Sequence, residues 1–146
     1  MTSRTWLALA AVALAACGSP MPNPGGCPSG DAGRHGDPVH GALVVQMNTC
    51  NQQGLCHGSD LSGSTTPVSA DSHVYPANLT PDATGLSCWT DAQIETAVRT
   101  GVAPTRHLCP DMLTFPQMSA TDMVDLIAYI RSVPPVARTV PASSCP

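Results

Sequence analysis

The chain contains no lysine; its six basic residues are all arginines, set against ten acidic residues and five histidines. With no basic patch to neutralise phosphates, nucleic acid is not an expected partner. Aromatic residues are also scarce, with one Phe, two Tyr and two Trp in 146 residues, and Trp6 falls in an N-terminal apolar stretch. Aromatics usually dominate core energetics, so a core drawn from the roughly 110 residues past the N-terminal region needs another filler. Alternating strand patterns and internal repeats are missing as well, which excludes a β-rich reading. No apolar run is long enough to cross a bilayer as a mature helix.

The longest such run, residues 6–16 (WLALAAVALAA), follows Arg4 and has the length of a secretory signal core. It ends in LAAC, Leu14 to Cys17, which resembles the lipobox of bacterial lipoproteins, where the cysteine carries lipid and becomes the first mature residue. The expectation is an exported chain anchored to the membrane through a lipid on Cys17. Gly18, in place of an acidic residue, implies by the same resemblance the periplasmic face of the outer membrane. Removing residues 1–16 takes away one arginine and no acid, so the net charge of −4 becomes five minus ten, or −5. Residues 17–36, crowded with Gly, Pro and Ser, read as a flexible tether with a span on the order of 25 Å. A domain is then expected over residues 37–136, with a tail from 137 to 146.

Within that domain three helices are signalled. Asp37-Pro38 suits an N-cap and first helical position, and Val39, Leu43 and Met47 follow at a spacing of four, giving a helix over about 38–49. Thr90 and Gln93 make a capping box ahead of Ile94, Ala97 and Val98, with Gly101 as the stop. Ser119 and Asp122 open the last helix, Met123, Leu126, Ile127 and Ile130 form its stripe, and Pro134-Pro135 ends it. Residues 50–70 and 75–88 read as loop. Asn78-Leu79-Thr80 matches a glycosylation sequon, which carries little weight behind a bacterial-type signal. The expected fold class is all-α with long irregular loops.

Seven cysteines in a small exported chain require partners. One arithmetic assigns Cys17 to lipid, Cys50 and Cys56 to a joint purpose, and Cys88 with Cys109 and Cys27 with Cys145 to disulfides, one of about 15 connectivities open to six cysteines. The joint purpose is suggested by "CNQQGLCH", residues 50–57, which ends in the Cys-His pair of a haem-attachment box but has five residues between its thiols instead of two. Haem attachment needs thiols to add to the vinyl groups, a histidine after the second thiol as an iron ligand, and a distant sixth ligand. Cys50, Cys56 and His57 supply the first parts, and Met112 in "LCPDM" is the candidate for the last.

From Asp37 to Pro135 the chain resembles a class I c-type cytochrome domain, of the kind found in monohaem cytochrome lipoproteins and in cytochrome subunits of bacterial dehydrogenases. The resemblance rests on "HGALVV", "CHG" at 56–58, "ANLTPDATGLSCWTDAQIETAVRTGV" from Ala77 to Val102, "LCPDM" at 108–112 and "SATDMVDLIAYIRSVPPV" from Ser119 to Val136. It implies a cytochrome c-like fold, a crossing of first and last helices at Gly41 and Tyr129, and a pocket walled by Asn78, Leu79 and Trp89. It further implies one haem c per chain, with His57 and Met112 on iron, and a redox partner such as a dehydrogenase or another cytochrome.

Other assignments stay open for several of these residues. Cys50 and Cys56 could instead close a small loop as a disulfide; Met118 or His107 could replace Met112; Cys56, His57, Cys88 and Cys109 could form a zinc site, although their spacing matches no compact ligand knuckle. His35, His40 and His73 read as surface groups, and Asp91, Asp122 and Asp125 as cap or surface carboxylates with no close pair for acid-base work. The function expected is electron transfer without substrate turnover, not an enzyme. The alternatives are a haemless, disulfide-stapled lipoprotein module with a binding or structural role, and a reactive thiol site, which would need a depressed thiol pKa.

Overall fold

The computed structural model describes residues 35–52 and 56–145. The residues expected to form the signal run, the lipobox with Cys17 and most of the tether, and Cys27 with them, lie outside the described residues. Helix α1 spans Pro38–Met47, α2 Asp91–Thr100 and α3 Ala120–Ser132. Each begins where its capping residue dictates. The Asp37 carboxylate accepts the N–H groups of Val39 and His40 at the head of α1, with Pro38 in the first turn. Thr90 and Gln93 cap α2 reciprocally, each side chain accepting the other's backbone N–H. Ser119 accepts the N–H of Asp122 to start α3. Gly101 ends α2 at φ 72°, a left-handed conformation that suits glycine. Helix α1 stops two residues short of the expected end, because Asn48 folds its side-chain amide back onto the Val44 carbonyl and Thr49 turns left-handed at φ 58°.

The expectation of an all-α, cytochrome c-like fold is overturned. Directly after α2 the chain makes a small antiparallel sheet, β1 (Val102–Ala103) against β2 (Arg106–His107), turning through Pro104-Thr105. The helices are only ten, ten and thirteen residues long, and most of the described chain is irregular. Strands of two residues are too short to show an alternating pattern, so the sequence carries no trace of them.

Helices α1 and α3 form the main packing unit, crossing at Gly41. A Cβ there would lie 1.9 Å from the Asp125 carbonyl oxygen and 2.8 Å from the Tyr129 Cβ, so only glycine lets the two backbones approach this closely. Val44 and Val45 of α1, Ile94 of α2 and Met123, Leu126, Ile127 and Ile130 of α3 make the core, completed by Leu61 and Leu86 from the loops. It is aliphatic, as the composition requires, with Trp89 and Tyr129 packed against its edge. Val39, Leu43 and Met47, the stripe that marks α1 in the sequence, point the other way and are 75%, 52% and 71% exposed.

Two carboxylates expected at caps or on the surface are instead buried between elements. Asp91 accepts the guanidinium of Arg131, which also donates to the carbonyls of Leu86 and Trp89 and so ties α3 to the start of α2. Asp125 accepts the N–H of Asp37 at 2.7 Å and bonds the His40 ring at 2.8 Å, so His40 joins α1 to α3 and is not a simple surface group. Past α3 the tail runs back across the loops. Val136 and Arg138 bond the 78–84 segment, Arg138 also donates to the Gly63 carbonyl, Ser143 pairs with Tyr75, and Ser144 bridges His73.

The tail is held covalently by a disulfide between Cys109 and Cys145. This replaces both expected pairings. Cys109 does not bond Cys88, and Cys145 does not bond Cys27; Cys88 is itself disulfide-bonded, but not to Cys109. Loop excursions of tens of residues bring these sulfurs together, and no rule of spacing fixes which ones meet.

Candidate functional site

The segment after α1 closes on itself around Cys56 and His57. The N–H of His57 donates to the Cys50 carbonyl at 3.0 Å and that of Cys56 to Gln52 at 3.1 Å, so Cys50 is carried to the Cys-His pair although five residues separate the thiols. Both thiols are half-buried and free, which removes the loop-closing disulfide. Burial, followed by the neighbouring Cys56, pushes the Cys50 thiol up to about 11, so it is protonated at neutral pH. A reactive thiolate at Cys50 is thereby disfavoured.

Beyond His57 the chain makes a tight double turn. Gly58 and Leu61 are left-handed at φ 79° and 58°, the Leu61 N–H returns to the Gly58 carbonyl, and Asp60 accepts both the backbone and the hydroxyl of Ser62. Gly63, at φ 78°, presses this turn onto the extended Pro76–Asn78 segment. A Cβ on it would stand 2.4 Å from the Pro76 carbonyl oxygen and 2.7 Å from the Ala77 carbonyl carbon. Hydrogen bonds from Ser64 to Pro76 and from Leu79 to Leu61 hold the two segments together.

That contact orients the imidazole. His57 Nδ1 lies 2.8 Å from the Ala77 carbonyl oxygen. A carbonyl can only accept, so Nδ1 carries the proton and Nε2 keeps its lone pair. Desolvation lowers the pKa of the half-buried His57, partly offset by the Ala77 bond, and the ring is left neutral with one defined donor atom for a metal. Two unpaired thiols and a histidine with a fixed tautomer fit the donor set that a haem c requires.

The remaining expected residues are distributed around this loop. Asn78 is buried with its amide fully used inside the protein: Oδ1 accepts from the backbone and hydroxyl of Thr80, and Nδ2 donates to Thr84 and to the Val136 carbonyl. Its observed part is to fix the 78–84 loop to the tail. Leu79 and Trp89 are half-buried against the core. Met112 is half-buried on a turn closed by its N–H to the Cys109 carbonyl, on a different loop from His57. The two loops are linked through the tail. From Met112 the path runs to Cys109, across the disulfide to Cys145, through Ser144 and Ser143 to His73 and Tyr75, and so to Ala77.

Of the rival ligands, His107 is exposed on β2, and Met118 packs against the core while its carbonyl accepts from Arg99. Cys88 and Cys109 are both disulfide-bonded, which removes them from any zinc site. A half-open cleft of about 270 Å³ lies beside Cys56, between Asp60, Ser64 and Arg138. Its polar lining and its size, below the roughly 300–1,000 Å³ of usual ligand pockets, make it unsuited to a porphyrin.

The sequence missed Ala77 and Gly63. Neither bears a functional group in its side chain; one contributes a carbonyl and the other the absence of a Cβ. No family model matches the chain. A stretch of 74 residues is similar to part of one of the subunits of nicotinate dehydrogenase from Pseudomonas putida, at 38% identity, covering 48% of this chain. This chain spans only 6% of the length of that relative.

Proposed function

We propose that this chain is a one-electron carrier that holds a single haem c, with no substrate turnover of its own. The observation that carries the reading is the His57 Nδ1 to Ala77 hydrogen bond beside the free thiols of Cys50 and Cys56. Cys50 and Cys56 would form the thioether bonds, His57 Nε2 would ligate iron, and Met112 is the proposed second axial ligand. A haem iron in such a site exchanges single electrons between its ferric and ferrous states, and histidine with methionine raises its potential. The chain's own share is to keep Nε2 unprotonated, to shield the ligand histidine partly from solvent, and to hold the Met112 turn by the Cys109–Cys145 disulfide.

Similarity to a stretch of a dehydrogenase subunit supports a dehydrogenase as the redox partner. Export and a lipid anchor at Cys17 are part of the same proposal, and the disulfides support it, since such bonds persist in oxidising compartments.

The deciding experiment is a reduced pyridine haemochrome spectrum after acid-acetone extraction, on protein exported with the cytochrome c maturation system. A band that survives extraction is expected, at the position of two thioethers; the one-thioether position would leave Cys50 unattached. Absence of any band would replace this reading by the haemless, disulfide-stapled module.

A further inference from the structure

Helix α1 contains no Asp, Glu, Lys or Arg, and apolar residues lie on all its sides. At about 100° per residue, Gly41, Val44 and Val45 fall on one side and meet α3, while Val39, Leu43 and Met47 fall on the opposite side. A helix that is apolar all round is ordinarily covered all round. Among the described residues this one is covered on one side only, and Val39, Leu43 and Met47 on the other side are exposed.

We propose that the outer face of α1 rests on a lipid bilayer, the one to which the N-terminus tethers the chain. Three arguments favour lipid as the occupant. The chain that precedes α1 carries the apolar run and LAAC, so α1 is the first described element after the proposed anchor at Cys17, on which this inference rests. A stripe of three side chains on a ten-residue helix is far smaller than the roughly 1,200–2,000 Å² of a stable protein interface. For a chain already held at the membrane a small apolar contact is sufficient, because the tether makes the second contact intramolecular.

The test uses the exported full-length protein on phosphatidylcholine vesicles containing brominated acyl chains. An indole is placed by Leu43→Trp, with Thr96→Trp on the exposed side of α2 as the control. Both positions are exposed, so neither change disturbs the core. At least twofold stronger quenching at position 43 than at 96, reduced to the control level by Val39→Gln with Met47→Gln, is the expected result. Equal quenching at both positions overturns the proposal. A dimer in detergent that Val39→Gln with Met47→Gln dissolves would make a second copy the occupant and also overturns it. Mass measurement showing Cys17 without lipid removes its premise and overturns it too, while leaving the haem reading to stand or fall on its own spectrum.

Discussion

Protonation of His40 is coupled to the seating of α1 on α3. Its pKa is raised above the ordinary 6.5, first by the hydrogen bond to Asp125 and further by the charges of Asp125, Asp122 and Asp37, with burial opposing. That stabilisation is complete below 6.5 and is lost as pH rises through the folded value. Asp125 is lowered from 3.8, first by the Asp37 N–H and then by His40, so its contribution is complete above 3.8 and lost as pH falls through the folded value. The pair therefore contributes most between 3.8 and 6.5. Thermal melts across this range should show a plateau there with a decline on the alkaline side, and Asp125→Asn should flatten that decline and return the His40 titration, read by NMR, toward 6.5. At the proposed iron site, Met112→Ala should abolish the near-infrared methionine-to-iron band and lower the potential. An unchanged spectrum would move the ligand to Met118 or His107.

At the scale of elements, two glycines set how closely segments approach. Gly41→Ala would drive a methyl into the Asp125 carbonyl and force α1 off α3, a loss expected to reach or exceed about 3 kcal/mol in denaturant unfolding. Gly63→Ala adds a left-handed alanine to a clash with Pro76 and Ala77, together about 2–6 kcal/mol. It should also remove the slowly exchanging Nδ1 proton of His57 from the NMR spectrum, whereas a change that merely softened the core would leave that proton in place. The helices were legible because their ends are written locally: Asp37-Pro38, Thr90 with Gln93, and Ser119 each bond within three residues. Composition alone does not tell which face of α1 is inside, since Val39, Leu43 and Met47 are as apolar as Val44 and Val45; the crossing at Gly41 and Tyr129 that the resemblance implied does, and the structure has it. The β1–β2 turn, the Asp91–Arg131 pair and the His40–Asp125 bond depend on spatial encounters that no short pattern encodes.

For the whole molecule the Cys109–Cys145 disulfide closes a span of 36 residues that includes α3. By loop closure alone such a bond contributes roughly 2–4 kcal/mol. Replacing both cysteines with serine should lower the melting midpoint accordingly and, in haem-loaded protein, weaken the methionine band at temperatures where the His57 ligation persists. A midpoint unchanged by the double replacement would show the tail to be held by its hydrogen bonds alone. The candidate site was legible as residue types, Cys50, Cys56 and His57, because adjacent letters carry them. Its supporting shell was not, since the Ala77 carbonyl and the sulfur of Cys145 reach it from 20 and 36 residues away from the groups they meet.

The same bond sets an order of events during biogenesis. Cys109 has to wait for thirty-six further residues before its partner exists, whereas Cys50 and Cys56 are complete long before. During that interval Cys109 meets an oxidant beside the thiols of Cys50 and Cys56, and a premature bridge from it to either of these two would consume a thiol that the folded chain keeps free. Thiol protection and timing of oxidation, more than the final stability of the folded chain, would then govern how much correctly assembled protein a cell recovers.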